Sequence, residues 1–265
     1  MSRFRRVARR AAQLYRAVWR VRPFEGIYPN RGSVPASGEA FVTEAWAKTA
    51  AEYTASLAQR LQSEPVPRFD SAEAMCLPFL AAIVHGEKGR VAILDVGGGA
   101  GVAYVQVRQV VPADAIEYVL VDNATVLAAA RAAGHLPATA RFHEDLATTD
   151  IAPDIVHAGS VIQYIDDYRG FLEMLARRGA PWIVLTNSPV GDMPTCATRQ
   201  VNMGAPMAYW FLNAAEVTAI LREAGYGLIF SSACERDYDL DNLPEDQRIA
   251  DPRNLVFRRV VSDSR

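Results

Sequence analysis

A glycine-rich segment with one acidic residue is the part of the chain whose residue types point most directly to chemistry. It reads ILDVGGGAGV over residues 93–102, an apolar run followed by an acid and four glycines in five positions. Such a loop between a strand and a helix lets backbone N–H groups and the helix N-terminus approach a ligand. The ligand could be a nucleotide phosphate, a dinucleotide or another adenosine cofactor, unless the glycines serve only close packing of the chain itself.

The spacing within this loop separates these alternatives. A phosphate-binding P-loop requires a lysine after its last glycine, and Val102 stands there. A dinucleotide loop follows G-x-G-x-x-G, and Val102 also occupies its third glycine position. The pattern that does fit is Asp-x-Gly-x-Gly-x-Gly with one additional glycine, met by Asp95, Gly97, Gly98, Gly99 and Gly101.

In this pattern the chain resembles the class I S-adenosylmethionine-dependent methyltransferases. The resemblance implies S-adenosyl-L-methionine as the cofactor. That cofactor has no pyrophosphate, so the loop has no phosphate charge to neutralise and admits a flat adenosine and a zwitterionic methionine tail instead. An acid such as Asp95 can order the loop and attract the ammonium of the tail.

Two further acids follow the next two predicted strands. Asp122 ends the second strand, 23 residues after Gly99, where one carboxylate can accept hydrogen bonds from both ribose hydroxyls. The alternative is a solvent-facing aspartate that caps the next helix. The resemblance implies that Asp145 meets the adenine amino group and that the backbone N–H of Leu146 meets a ring nitrogen, with Glu144 replacing Asp145 if the register shifts by one.

The segment after the fourth strand lines the sulfonium side of the cofactor in many small-molecule members of the family, and here it reads GSVIQYI over residues 159–165. Gln163 and Tyr164 replace two histidines of the family pattern, which argues against a histidine base at this point. The amino-methyltransferase signature is absent here, which disfavours planar amino acceptors such as adenine N6. The resemblance also implies cofactor contacts for Asn123, Ser160, Gln163 and Tyr164.

The acceptor-side candidates are Tyr164, Gln200 and Tyr209, which fall where the fold builds its substrate face. For each, packing or a backbone hydrogen bond is an equally good explanation. Among the four histidines, His157 lies inside a predicted strand and is expected to be a hydrogen-bonded core residue. No Asp/His cluster predicts a metal site.

A narrower resemblance is to a subgroup of bacterial methyltransferases associated with surface-polysaccharide gene clusters. It covers most of residues 24–235, and each of its motifs is loose by itself. The matching residues are Phe24, Gly26 and Tyr28, then Ile162, Gln163 and Tyr164, then Thr198, Gln200 and Asn202, and finally Tyr209, Phe211, Asn213, Gly225 and Tyr226. Membership of this subgroup does not settle the acceptor, and our leading hypothesis is a small-molecule or glycan-type acceptor methylated on oxygen or nitrogen.

Charge is distributed unevenly along the chain. Residues 1–22 carry eight arginines and no acid, and the remaining 20 basic and 30 acidic residues give the rest a net charge of −10. No nucleic-acid partner is therefore expected for the body of the protein. Residues 4–21 predict a basic amphipathic helix that binds an anionic membrane surface or packs on the body or on a partner. Three widely spaced cysteines are typical of a reduced cytoplasm.

Short apolar runs alternate with helical periodicity from residue 90 onward, which predicts an α/β fold with a doubly wound, mostly parallel, Rossmann-like sheet. The resemblance implies seven strands with the last one antiparallel. Residues 23–38 are predicted as a loop. Helices are expected at 39–63, 71–84, 102–111, 124–133, 168–177 and 213–224, and strands at 91–96, 117–122, 141–143, 155–159, 182–186, 227–233 and 255–261.

We therefore divide the chain into a basic arm at 1–24, a helical lid at 25–88 and a cofactor-binding methyltransferase domain at 89–265. The leading hypothesis is methyl transfer from S-adenosylmethionine. One alternative is a nicotinamide-dependent reductase, although the third glycine and a Tyr-x-x-x-Lys pair are missing. The other is a non-catalytic binding module that kept the fold. The sequence does not identify the acceptor or the oligomeric state.

Overall fold

The computed structural model describes residues 23–36, 38, 40–63, 66, 67, 69, 71–202, 205–236 and 238–260, so the predicted basic helix at 4–21 lies outside the described residues. The strands are β1 Phe24–Tyr28, β2 Val91–Val96, β3 Ile116–Val121, β4 Arg141–His143, β5 Ile155–Gly159, β6 Trp182–Thr186, β7 Val190–Gly191, β8 Cys196–Asn202, β9 Ala205–Asn213, β10 Tyr226–Ala233 and β11 Arg253–Arg259. The α-helices are α1 Glu44–Gln62, α2 Ala72–Lys88, α3 Val102–Val107, α4 Ala124–Ala133, α5 Tyr168–Arg177 and α6 Ala214–Glu223.

Seven strands form the larger sheet, in the order β10-β11-β6-β5-β2-β3-β4. Strands β4, β3, β2, β5 and β6 are mutually parallel, and β11 runs antiparallel to both of its neighbours. This confirms the predicted doubly wound sheet with an antiparallel last strand. The order reverses between β2 and β5, and ligands of open α/β sheets bind beyond the strand ends at such a switch point.

Both faces of this sheet are buried, which explains why its central strands read as continuous apolar runs. All six residues of β2 are buried. Val91 and Ile93 pack against the layer formed by α1, α2, α3 and α4. Ala92 and Leu94 face the opposite layer, formed by α5 and α6. Asp95 continues the first of these alternating sets, so its side chain lies under the α1–α4 layer at the carboxyl end of the strand.

Most helices begin at a polar side chain that accepts a hydrogen bond from the first turn. Ser71 caps α2 as predicted, accepting from the N–H of Ala74 at 3.3 Å. The helix does not end near Gly86 but continues to Lys88, and Gly89 terminates it with φ +73°. Helix α3, by contrast, is shorter than predicted: it stops at Val107, and residues 108–111 form a turn before Pro112.

A second sheet of four strands, in the order β1-β8-β9-β7, was not predicted. The prediction of a loop over 23–38 is wrong at its start, because β1 pairs antiparallel with β8, placing Phe24 opposite Gln200. The adjacent proline and glycines suggested a turn, while the pairing partner lies more than 170 residues away. The segment 25–88 therefore begins with a strand, and its helical part starts after it.

Aromatic side chains fill the core under the second sheet. The Phe24 ring lies 5.2 Å from the rings of both Tyr209 and Phe211, and 5.9 Å from that of Tyr238. Tyr238 belongs to the long connection between β10 and β11, so this core joins the second sheet to the larger one. The chain before the lid is thereby anchored beside the carboxyl edge of the larger sheet.

Candidate functional site

The glycine loop turns sharply between β2 and α3. A Cβ atom on Gly97 would collide with Val161, and one on Gly98 would collide with the Asp95 carboxylate and Leu120. These two positions therefore need glycine for packing within the protein. Gly99 differs, because a Cβ there would meet nothing within 4 Å while φ is +59°. Its backbone faces the open space in which a ligand would bind.

Asp122, directly after β3, accepts a hydrogen bond from the glycine loop. One carboxylate oxygen accepts from the N–H of Gly99 at 2.9 Å, and the other accepts from the backbone N–H of Asn123 at 2.8 Å. Burial raises the pKa of this carboxyl above 3.8, and the hydrogen bonds from Asn123 and Gly99 counteract that effect. The carboxylate faces the same cavity as the loop. Nδ2 of Asn123 also donates to the second carboxylate oxygen, at 2.9 Å. The carboxylate therefore holds the loop in place, and the oxygen bound to Gly99 keeps one acceptor site for a ligand.

Asp95 is fully buried and belongs to a chain of hydrogen bonds. It accepts from the Tyr118 hydroxyl, and its other oxygen lies 2.7 Å from Nδ1 of His157. His157 Nε2 lies 2.9 Å from the Thr186 hydroxyl. Strand register produces this arrangement, since Asp95 is paired with His157 and Gly159 with Thr186. The expectation of a buried, hydrogen-bonded His157 is confirmed.

The same chain of hydrogen bonds also reaches the cavity. A Cβ on Gly159 would lie 2.8 Å from Cε1 of His157 and 3.2 Å from the Thr186 hydroxyl. Glycine at this strand end therefore leaves the His157–Thr186 pair open to the cavity, and all three residues line it.

The cavity has a volume of about 1600 Å³ and lies beyond the carboxyl ends of β2, β3, β5 and β6. Single ligands occupy about 300–1,000 Å³ in typical pockets, so this space accommodates more than one molecule. Helices α1 and α2 and the 3-10 turn Ala40–Val42 cover it, and their apolar lining side chains include Phe41, Trp46 and Leu57. The Nδ2 group of Asn123 donates to the carbonyl of Phe41 at 3.3 Å, which connects the lid to the loop beside Asp122.

The structure brings seven of the predicted site residues together around this cavity: Asp95, Gly97, Gly98, Gly99, Asp122, Ser160 and Tyr164. Seven others lie outside the described lining: Gly101, Asn123, Asp145, Leu146, Gln163, Gln200 and Tyr209. Several of these adjoin a lining residue, so they surround the cavity without facing it.

Local contacts explain why the predicted adenine-binding pair does not line the cavity. The Asp145 carboxylate accepts from the N–H of Ala147 at 2.8 Å and starts a short 3-10 turn. Leu146 is buried in the core on the α5–α6 side. Gly101 has φ +86°, and a Cβ there would contact Leu136. The adenine role of Asp145 and Leu146 stays a prediction.

The three acceptor-side candidates form one contiguous cluster. The Tyr164 hydroxyl donates to Oε1 of Gln200 at 3.1 Å, and the Tyr164 and Tyr209 rings lie 5.3 Å apart. Burial raises the pKa of both tyrosines. Only Tyr164 lines the cavity, with Phe41 stacked 4.5 Å from it. Gln200 and Tyr209 support it from behind, which favours positioning over direct chemistry for these two residues.

Two lining residues had no signal in the sequence. Arg236 and Tyr238 come from the irregular connection between β10 and β11, and both reach the cavity. A single arginine in a polar loop has no spacing that distinguishes it from a surface residue. Thr186 likewise appeared only as the end of a strand, because its partner His157 becomes apparent only from strand pairing.

Metal and membrane features were also sought in the part of the chain that the structure describes. There, no group of three or more His, Cys, Asp or Glu side chains is arranged to hold a metal ion. Within the same residues, no helix is both long and apolar enough to cross a lipid bilayer.

No protein-family model matches this chain, and no curated protein sequence matches it. Solved structures match its fold. A chain of the Haloferax volcanii complex containing the Trm112 methyltransferase activator has a TM-score of 0.51 at 16% identity, covering 86% of this chain and 100% of that chain.

Two further structures have TM-scores of 0.50. An O-methyltransferase family protein from Burkholderia thailandensis is 13% identical and covers 82% of this chain and 60% of its own. An S-adenosylmethionine-dependent methyltransferase from Methanosarcina mazei is 12% identical, and the match covers 68% of this chain and 97% of that chain. At these identities the likeness concerns the fold alone, which is the Rossmann-like fold of methyltransferases.

Proposed function

We propose that this protein is an S-adenosyl-L-methionine-dependent methyltransferase. The observation that carries the proposal is the meeting of the glycine loop and Asp122 at one large cavity, with the Gly99 N–H held by the carboxylate at 2.9 Å. The open backbone at Gly99 suits an uncharged adenosine edge. Asp122 lines the same cavity and keeps an acceptor site for a ribose hydroxyl. The methyltransferase-like fold supports the same cofactor.

The residues of this chain would act mainly by positioning and by excluding water. When bound, the cofactor supplies a methyl group activated by its sulfonium. The lid helices cover the cavity with apolar side chains such as Phe41 and Trp46, which would hold the acceptor in line and keep water away. Tyr164, backed by Gln200, lines the cavity and would contact the acceptor beside the bound cofactor.

A hydroxyl acceptor must also lose a proton, whereas an amine needs only to be unprotonated. His157, donating from Nδ1 to Asp95, would accept at Nε2 from Thr186. This arrangement would pass a proton from the cavity through Thr186 to His157. We expect Thr186→Val to lower turnover of a hydroxyl acceptor at least tenfold without weakening cofactor binding, while Thr186→Ser retains activity.

The acceptor itself is proposed to be a small molecule or a glycan-type compound methylated on oxygen or nitrogen. The glycan assignment rests on the motif resemblance to methyltransferases of surface-polysaccharide gene clusters. A panel of sugars, nucleotide sugars and small hydroxylated or amino metabolites, assayed as release of S-adenosylhomocysteine, would identify the acceptor.

Isothermal titration with S-adenosylhomocysteine tests the cofactor. We expect saturable binding, weakened at least tenfold by Asp122→Ala and unchanged by Asp114→Ala, an aspartate that does not line the cavity. Absence of binding at high micromolar concentration would contradict the proposal. A parallel titration with nicotinamide cofactors tests the reductase alternative. Cofactor binding with no turnover across the panel would favour the non-catalytic module.

A further inference from the structure

The connection after β10 carries an arginine into the cavity and anchors it by one nitrogen. Nη1 of Arg236 donates to the Ser160 hydroxyl at 3.0 Å and to the Asn187 carbonyl at 3.2 Å. These two bonds use both hydrogens of Nη1. The structure gives Nη2 and Nε no hydrogen bond to any described residue. Three N–H donors of this cavity-lining arginine therefore have no partner among the described residues.

The backbone at both anchors adopts the left-handed conformation. Ser160 has φ +56° and Asn187 has φ +51°, and no other described non-glycine residue has a positive φ. Residues in such conformations persist where the surrounding structure holds them, and they cluster at functional sites. These two follow the neighbouring strands β5 and β6, and both hold Arg236. Contact with this guanidinium is what the two residues have in common.

No acidic partner neutralises this arginine within the described part of the chain. The ion pairs found there do not include Arg236, which packs at 5.8 Å over the Tyr238 ring instead. A partly buried guanidinium without a carboxylate is stabilised by an anion that forms bidentate hydrogen bonds with it. Carboxylates and phosphates have the matching geometry.

The rest of the cavity lining is mainly acidic, so the positive charge of Arg236 is confined to one part of the cavity. Its lining carries six carboxylates and only two arginines, the acids being Glu73, Asp95, Asp122, Glu235, Asp239 and Asp241. Such a lining favours cations overall. An anionic group would therefore bind at Arg236 and be repelled by the acidic lining elsewhere. Arg236 would thus orient the bound molecule as well as add to its affinity.

We propose that Arg236, held by Ser160 and Asn187, forms a subsite for a carboxylate or phosphate group of a molecule bound in the cavity. The inference builds on the proposed methyltransferase function. Two molecules could supply the group: an anionic acceptor, or the cofactor through its methionine carboxylate. Strand order places Asn187 two strands from the glycine loop, on the side away from Asp122. An anionic acceptor would thereby be fixed at the end of the cavity opposite the ribose site.

The test compares Arg236→Gln and Arg236→Lys with the wild type and with Arg108→Gln, an exposed arginine that does not line the cavity. Calorimetry measures the affinity of each protein for three ligands: S-adenosylhomocysteine, 5′-methylthioadenosine and inorganic phosphate. Methylthioadenosine lacks the amino-acid tail, and phosphate is titrated both with and without S-adenosylhomocysteine. Melting curves confirm folding. Arg236→Lys keeps the positive charge but lacks the planar set of N–H donors. If Arg236→Gln does not fold, Ser160→Ala, which removes one hydrogen bond to Arg236, replaces it in the test.

An acceptor subsite predicts that Arg236→Gln weakens phosphate at least tenfold and leaves both nucleosides unchanged. A methionine-carboxylate subsite predicts a tenfold loss for S-adenosylhomocysteine and none for methylthioadenosine. Equal loss for both nucleosides, or no change in any titration, would overturn the proposal. If the wild type binds neither nucleoside, the proposed function fails. The anion subsite is then tested by phosphate binding without any nucleoside. Weaker phosphate binding in Arg236→Gln than in the wild type supports the subsite. Equal affinity in both proteins, or no phosphate binding by the wild type, refutes it.

Discussion

At the scale of single residues, burial separates two carboxylates that sequence spacing makes look alike. Asp95 is fully buried and bonded to Tyr118 and His157, so its role is to orient groups around it. Asp122 is only partly buried and faces the cavity. The first organises the base of the loop, and the second is the candidate for direct ligand contact.

The raised pKa of Asp122 predicts a pH-dependent affinity. Ribose hydroxyls would donate to the charged carboxylate, so binding of S-adenosylhomocysteine should weaken as pH falls through this raised pKa. Calorimetry across acidic pH would measure it, and Asp122→Asn should bind weakly with little pH dependence. An equally steep dependence in the variant would assign the titration to another group.

The same shift has a consequence for the ligand-free protein. Its folded state holds this proton more tightly than the unfolded chain, whose pKa is near 3.8. The contribution of Asp122 to the free energy of unfolding therefore decreases as pH rises from that value through the raised pKa, and is constant above it.

Two neighbouring glycines should respond differently to alanine. A methyl group on Gly98 would collide with Asp95 and Leu120, whereas one on Gly99 would meet only open space at a positive φ. We expect Gly98→Ala to lower the unfolding free energy by about 1–3 kcal/mol. Gly99→Ala should lose about 1–2 kcal/mol through its left-handed backbone and bind S-adenosylhomocysteine more weakly. Denaturant unfolding and calorimetry separate these effects, and wild-type affinity in Gly99→Ala would argue against a ligand at this backbone.

At the scale of elements, the second sheet and the lid convert an open strand edge into a covered cavity. Strand β1 pairs with β8, and the helices that follow it cross the cavity mouth. The aromatic core beneath β1 also holds Tyr238, which lines the cavity. Packing in the second sheet therefore influences the shape of the acceptor side.

Phe24 is the residue that ties β1 to this core, with 5% of its surface exposed. Phe24→Ala should destabilise the protein by about 3–5 kcal/mol, because it leaves a cavity among several rings. Tyr53→Ala, which removes a cavity-lining lid side chain that is 61% exposed, is the control and should change stability little. A small loss in Phe24→Ala, measured by urea unfolding, would mean that β1 contributes little to the core.

At the scale of the whole molecule, charge separates the N-terminal arm from the body. Eight arginines lie in residues 1–22, while the remainder carries a net charge of −10. An acidic body with a basic arm would approach an anionic surface through the arm alone. The arm lies outside the described residues, so its role is argued from sequence.

The membrane interpretation of this arm predicts sedimentation with vesicles containing phosphatidylserine and not with neutral vesicles. Changing Arg5, Arg6, Arg9 and Arg10 together to Gln in the full chain should abolish binding, and salt should weaken it in the wild type. If the arm packs on the body instead, the variant should melt at a lower temperature and neither protein should bind vesicles.

The sequence by itself determined the larger sheet, most helices and the location of the cavity. Periods of 2 and 3.6 residues and the glycine loop are local signals, readable without knowing what a segment packs against. Because parallel strands end at one edge, Asp95 near the end of β2 and Asp122 directly after β3 were expected near each other. Both line one cavity, while their roles toward a cofactor stay predictions.

Only the tertiary structure decided which distant residues meet. Strand β1 finds β8 across more than 170 residues, and register alone brings His157 between Asp95 and Thr186. The anchoring of Arg236 at two strand ends likewise depends on how a long irregular connection folds back. These contacts follow from the packing of the entire chain. Their free energy depends on residues far apart in sequence, so no local segment predicts them.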